Sequence, residues 1–219
     1  MLNLTTQQSL FILQGAGWTI LLSLIGFVGG SLLGLPLALG LTAKSMATRL
    51  ATGFGINVVQ GIPLPILMFA VYFGAGLAGF DPPTLAAAAL AMTAYSAAFL
   101  AEIWKGCIRA VPRLQWEAAD CLALTSLDTL RLVILPQAVR IATPPTIGFF
   151  VQIVKNTSYA VVLAFMELTY SARIVNNNSN EPFVVFTIAG ALYFLICFPL
   201  SKLSRRLERS FGKTREAAK

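Results

Sequence analysis

AGWTILLSLIGFVGGSLLGLPLALGLT, residues 16–42, runs for 27 positions without a charge, and no charge occurs anywhere from Met1 to Ala43. A helix that crosses a bilayer needs about 20 largely apolar residues, so this run is long enough to span. It is too long for the apolar core of a cleavable signal peptide, and residues 1–14 lack the basic start such a peptide needs. Residues 1–14 are therefore read as a short extracytoplasmic segment and the run itself as a retained anchor. The rest of the chain has the same character. Of its 219 residues 57% are hydrophobic and 11% charged, and mean hydropathy is +0.75. A soluble domain carries roughly 25% charged residues and has too much surface to hide so many apolar side chains. The composition predicts an all-helical integral membrane protein. It contains no histidine, which excludes a Ser-His-Asp triad, a Cys-His pair and His-ligated metal.

The charges cut the chain into five predicted spans, at about residues 16–42, 51–79, 84–104, 141–165 and 183–201. Asp81-Pro82-Pro83 reads as the turn after the second span, and Pro144, Pro145 and the polar run Lys155-Asn156-Thr157-Ser158 interrupt the fourth. Residues 15–203 thus form one membrane domain with a cytoplasmic loop at 105–140, followed by a basic tail at 204–219. Fourteen of the 16 basic residues fall after spans one, three and five; only Lys155 and Arg173 do not. Positive-inside bias then sets the amino terminus outside and the carboxyl terminus in the cytoplasm. The net charge of +7 is read as this orientation signal and not as nucleic-acid binding.

Several motifs fail on context. Gly74-Ala-Gly76-Leu-Ala-Gly79 matches a dinucleotide fingerprint but ends a span with no strand before it. Gly212-Lys213-Thr214 resembles the end of a phosphate loop, but Leu207 stands where its first glycine belongs. Cys107, Cys121 and Cys197 form no CxxC pair and read as reduced structural or incidental thiols. Gly26, Gly30 and Gly34 recur on one helical face, a pattern for close helix packing.

The loop at 105–140 is too apolar for a linker. Pro112 suits a helix start, and Leu114, Trp116, Ala119 and Leu122 trace an apolar stripe. Thr125 with Asp128 has capping-box form and predicts a second helix over 126–135, ended or kinked by Pro136. Such a helix–turn–helix beneath the membrane suits docking to another protein or resting on lipid headgroups, and on physics alone both readings stay open.

Glu117-Ala118-Ala119, then Ala123 and Val133-Ile134-Leu135-Pro136 at these separations, resembles the EAA loop of ABC importer permeases. Ala94-Tyr95 through Ala101-Glu102-Ile103, then Gly106, Val111-Pro112 and Gln115-Trp116, are similar to the polar-amino-acid branch, whose solutes include histidine, glutamate, glutamine, arginine and opines. So are Leu135-Pro136-Gln137-Ala138, Lys155-Asn156-Thr157-Ser158, Gly61-Ile62-Pro63-Leu64 and the late Leu207-Glu208-Arg209. The series covers nearly the whole chain in order. Departures are Gln60 where the family usually has Arg, Leu114 and Ala123 where it has glycine, and Gly148 where it commonly has Asn.

The resemblance implies a fold and a role. The fold is the five-helix type I ABC importer (MetI-like) permease, in the bacterial inner membrane. The role is a non-catalytic translocation subunit for a polar amino acid. Its partners are a cytoplasmic ABC ATPase dimer that binds ATP and Mg, a second permease subunit (itself or a sister chain), an extracytoplasmic solute-binding protein and membrane lipid, with no nucleic acid. The ATPase-coupling loop is carried over onto Gln115, Trp116, Glu117, Ala118, Ala119, Leu122, Ala123, Leu135 and Pro136, with Glu117 facing an ATPase cation and Trp116, Ala118, Ala119 and Leu122 as the docking face. Polar groups within spans are costly unless they face protein or water. This nominates Gln60, Gly61, Lys155, Asn156, Thr157 and Ser158 for the path. The structural alternative for Lys155 is an ion pair with Glu102 or Glu167, and Glu102 also has Lys105 at (i, i+3) spacing. Other readings are a permease for an opine, an osmolyte or methionine, an ATP-independent channel, and a membrane scaffold.

Overall fold

A computed structural model describes residues 5–43 and 45–216, with side chains through Ser210; Lys44 and Lys219, two of the basic residues used for orientation, lie outside the described residues, as do residues 1–4. Helix α1 is Thr6–Thr42. It begins ten residues before the predicted span because Thr5 and Gln8 close a capping box, with Thr5 N donating to Gln8 Oε1 at 2.9 Å and Gln8 N to Thr5 Oγ1 at 3.3 Å. The glycine face packs α1 on α4 (Thr84–Arg109). A Cβ on Gly30 would stand 2.3 Å from Ser96 Cβ, and one on Gly34 would stand 3.1 Å from the Ala97 carbonyl. The spacing that predicted close packing is met by Met92, Ser96 and Ala97 of α4.

The second predicted span is not one helix. Helices α2 (Met46–Gly61) and α3 (Leu64–Leu77) meet at 101°. Pro63 drives Ile62 out of the helical region to φ −101°, ψ 126°, as the residue before a proline is driven, and Pro63 then caps α3. Among the described residues four helical stretches are long and apolar enough to cross a membrane on their own: Thr6–Thr42, Thr84–Arg109, Ser126–Leu163 and Pro182–Ser210; the bent pair counted as one span makes five. The fingerprint-like glycines end α3, where Gly79 takes φ 85° in the turn, and no strand occurs among the described residues.

Past the short helix α5 (Arg113–Cys121) the chain continues as one helical stretch, Ser126–Leu163. It comprises a single turn α6 (Ser126–Asp128), a π-helical segment Thr129–Ile134, helix α7 (Leu135–Asn156) and a 3-10 segment Thr157–Leu163. Pro136 was expected to stop or kink this chain, and the helical stretch does not stop there. The wider π turn has Leu135 N bonding Leu130 O, so Pro136 falls in the first turn of α7, where its missing N–H costs least. A short amphipathic helix, α8 (Leu168–Ser179), fills the connection to α9 (Pro182–Glu216), which continues through most of the predicted basic tail.

Candidate functional site

Two places gather the residues that sequence reading nominated. The first is α5 with its flanks. Trp116 packs on a buried cluster of Ile108, Val111, Ile134 and Ala138, and Ala119 is 2% exposed. These two face inward, which corrects the predicted docking face. Leu114 and Leu122 are 70% and 74% exposed. At 100° per residue, Leu114, Ala118, Cys121 and Leu122 share the outward side, with Glu117 beside them; all five are exposed. Arg113 Nε lies 3.2 Å from Glu117 Oε1, both on the surface. Such a pair is worth about 0.3–0.5 kcal/mol and can be exchanged for another partner.

The end of α5 explains one departure from the family pattern. Ala123 N bonds Asp120 O at 2.9 Å and Leu124 N bonds Ala119 O at 3.2 Å, the two bonds of a Schellman cap. Ala123 takes φ 53°, where glycine is the favoured residue. A left-handed alanine costs roughly 1–2 kcal/mol, against about 0.5–1 kcal/mol of extra chain entropy that a glycine loses on folding. Ala123→Gly is therefore expected to raise the thermal midpoint slightly, by about 0.5 kcal/mol of stability, and Ala123→Val to lower it. Thermal unfolding of the detergent-solubilised chain checks both signs. The next helix is capped as predicted, with Asp128 N donating to Thr125 Oγ1 at 3.2 Å.

The link from α5 to the membrane helix is a pair of amides. Gln137 Nε2 donates to Val133 O at 2.9 Å and to Gln115 Oε1 at 3.2 Å. Leu135 packs against the buried cluster that holds Trp116.

The second place is the polar interruption of the fourth span, and there the predicted group separates. Asn156 and Thr157 turn inward: Asn156 Oδ1 accepts from Gln152 Nε2 at 2.9 Å and the Asn156 side chain also hydrogen-bonds Tyr95, while Thr157 Oγ1 donates to Val154 O at 2.8 Å. Ser158 Oγ donates to Lys155 O at 2.8 Å. Lys155 points out, into a cleft of about 280 Å³ against α9 lined by Tyr193, Phe194, Cys197, Phe198, Ser201 and Arg205. Pro145, Gly148, Gln152, Lys155 and Tyr159 are all exposed and recur at steps of three and four, one continuous face of this helical stretch. Gln152 and the α9 residues Tyr193, Ser201 and Arg205 were missed from sequence. The usable signal was the 3–4 spacing, which four adjacent residues taken together conceal.

Lys155 has neither of its predicted partners. Glu102 binds Lys105 instead, with Nζ at 2.9 Å from Oε2, as its spacing predicted. Glu167 is fully buried and caps α8: it accepts from Thr169 N at 2.9 Å, Tyr170 N at 2.8 Å and the Tyr193 hydroxyl at 2.8 Å. Burial pushes its carboxyl above the usual value, while those three donors pull the other way. Among the described residues no carboxylate lies within ion-pair distance of Lys155. Gln60 Nε2 donates to Ala98 O at 3.3 Å and so engages α4, not α7, and Gly61 is exposed at the bend between α2 and α3.

Residues 30–213 match the model of the family described as binding-protein-dependent transport system inner membrane component. The chain belongs to that family. As a permease it is an inner-membrane transport subunit, in keeping with its apolar helices. It is 32% identical over 212 residues to the L-cystine transport system permease protein TcyB of Bacillus subtilis (strain 168), covering 94% of this chain and 90% of that one. It is 31% identical over 205 residues to the histidine/lysine/arginine/ornithine transport system permease protein HisM of Salmonella typhimurium (strain LT2), covering 89% and 87%. A crystal structure of an amino acid ABC transporter with histidines superposes with a TM-score of 0.88 at 29% identity, over 93% of this permease and 95% of that chain. An inward-facing MetNI methionine ABC transporter shares the fold, with a TM-score of 0.78 at 17% identity over 94% and 99%.

Proposed function

We propose that this permease forms the translocation path of an ATP-driven importer for a polar amino acid. Three kinds of partner complete it: a cytoplasmic ATPase pair that binds ATP and Mg, a second permease subunit (itself or a sister chain) and an extracytoplasmic solute-binding protein. The observation that carries the reading is the outward face of α5, where Leu114, Ala118 and Leu122 stand bare beside Glu117 on a cytoplasmic helix between two membrane helices. An apolar helix face with a charged edge is what a groove on a partner protein takes up. The excess of basic residues on the loops around α5 and on α9 supports an outside amino terminus and a cytoplasmic carboxyl terminus. The amino-acid branch is supported by relatives that carry cystine or basic amino acids.

The path is assigned to the α7 face of Gly148, Gln152 and Lys155, with Lys155 offering its cation to a substrate carboxylate; Gln60, bonded to α4, and Gly61, at the α2–α3 bend, form a separate candidate wall. A charge within a span costs up to roughly 2.5–3.5 kcal/mol on insertion scales, which favours water or a partner subunit on that side.

Glu117→Lys tests the docking role. The variant leaves Arg113 beside a like charge, a cost of only about 0.2–0.5 kcal/mol, so insertion and expression are expected to stay normal. ATP-dependent uptake is expected to fall by about tenfold, the effect of losing roughly 1.4 kcal/mol at one interface contact. Unchanged uptake removes Glu117 from the docking face.

A further inference from the structure

The amides of Gln115 and Gln137 join the cytoplasmic helix to the membrane helix at its one π-helical segment among the described residues. Their orientation is determined by chemistry. The Val133 carbonyl can only accept, so Gln137 must turn its NH2 toward it, and the same NH2 then requires the oxygen of Gln115. Two further features mark this segment as a place of change. A π turn holds one residue more than the α-helix around it, and such segments recur at functional sites. Thr129, at its start, is 3% exposed and its hydroxyl has no hydrogen-bond partner in this arrangement. Pro136 adds no N–H of its own, so a shift of register here breaks no bond from that residue.

We propose that Gln137 is the positioning residue through which movement of α5 reaches α7: its amide clamps Gln115 of the docking helix to the Val133 carbonyl of the π segment. The inference rests on the reading of α5 as the ATPase-docking helix. Displacement of α5 pulls Gln115, Gln115 pulls the Gln137 amide, and the π segment transmits the motion to the helix that carries Gln152 and Lys155. The apolar packing of Trp116 holds α5 against the protein, whereas the amide pair supplies the directional link.

The test uses the complete complex of permease, ATPase and binding protein in proteoliposomes, with substrate taken up per ATP hydrolysed as the readout. A merely structural role would change assembly and leave this ratio alone. Gln137→Glu, Gln137→Leu and Gln115→Leu are expected to lower the ratio about tenfold while the ATPase still co-purifies. Gln115→Glu keeps an acceptor toward Gln137 and is expected to stay within about twofold of wild type. If a Gln137 variant fails to assemble, the contrast between Gln115→Leu and Gln115→Glu decides alone, because Gln115 lies outside the membrane helix. Equal ratios for Gln115→Leu and Gln115→Glu, or a normal ratio for Gln137→Glu, overturn the clamp. A wild-type complex with no ATP-driven uptake overturns the transport reading instead, so the two failures are distinct.

Discussion

Lys155→Met is expected to cut uptake by about ten- to a hundredfold while leaving the protein as stable as wild type or slightly more so. The two halves of this expectation come from different physics. Among the described residues Lys155 has no carboxylate partner, so its removal breaks no ion pair, and a charge that costs up to roughly 2.5–3.5 kcal/mol to insert is gone. A hydrogen bond to a charged group contributes about 1.5–3 kcal/mol, which is the uptake lost if that ammonium meets the carboxylate of a passing substrate. Lys155→Arg retains charge and is expected to lie between the two. Uptake assays beside thermal unfolding separate path from scaffold. A stability loss with normal transport per folded molecule would make Lys155 structural.

Gly30→Ile is expected to have the largest effect on folding. A single added Cβ already falls 2.3 Å from Ser96 Cβ, inside any allowed contact, and 3.1 Å from Ala97 N, tighter than most real contacts, and both atoms belong to α4. Relief requires α1 and α4 to move apart, and overpacking of this kind costs typically 1–3 kcal/mol before the lost contacts along Gly26 and Gly34 are added. The same face has little slack, since a Cβ on Gly26 would meet Met92 Cβ at 3.0 Å. The control is Gly17→Ala on the same helix, where nothing lies within 4 Å. It exchanges a helix-interior glycine for alanine and is expected to raise the thermal midpoint slightly. Opposite signs at Gly30 and Gly17 establish that the glycine face is packing and not mere composition.

The parts of the fold that follow local rules were readable in advance. Gly26, Gly30 and Gly34 announced a close helix crossing, Thr125 with Asp128 announced a cap, and Glu102 with Lys105 announced a pair, because each depends on residues three or four positions apart. What escaped depends on geometry that hydropathy does not carry. An apolar run from 51 to 79 looks continuous, yet Pro63 excludes the helical conformation from Ile62 and turns the chain by 101°. Pro136 looks like a stop, yet the preceding π turn carries the helix through it. Within the site, adjacency misled in both regions. Lys155, Asn156 and Thr157 are neighbours in sequence but stand 100° apart around a helix, so one faces the cleft and two face the core. Trp116 and Ala119 belong to the same stripe as the core under α5, and the bare face lies with Leu114, Ala118 and Leu122.

The glycine-to-alanine departure at Ala123 has a definite local meaning. The Schellman bonds form and the left-handed φ is adopted, so the loop keeps its cap geometry and stores the strain in one residue. The end of α5 is thus capped with alanine in place, and whether a partner drives that helix is a matter for experiment.

Reconstitution answers it directly. The permease is placed in proteoliposomes with its ATPase and binding protein, and uptake of labelled polar amino acids is followed with ATP present or absent on the cytoplasmic side. The predicted result is uptake that requires ATP, the ATPase and the binding protein together, and that Glu117→Lys sharply reduces. Solute flux or ion current through the permease alone, undiminished without ATP, would contradict the account.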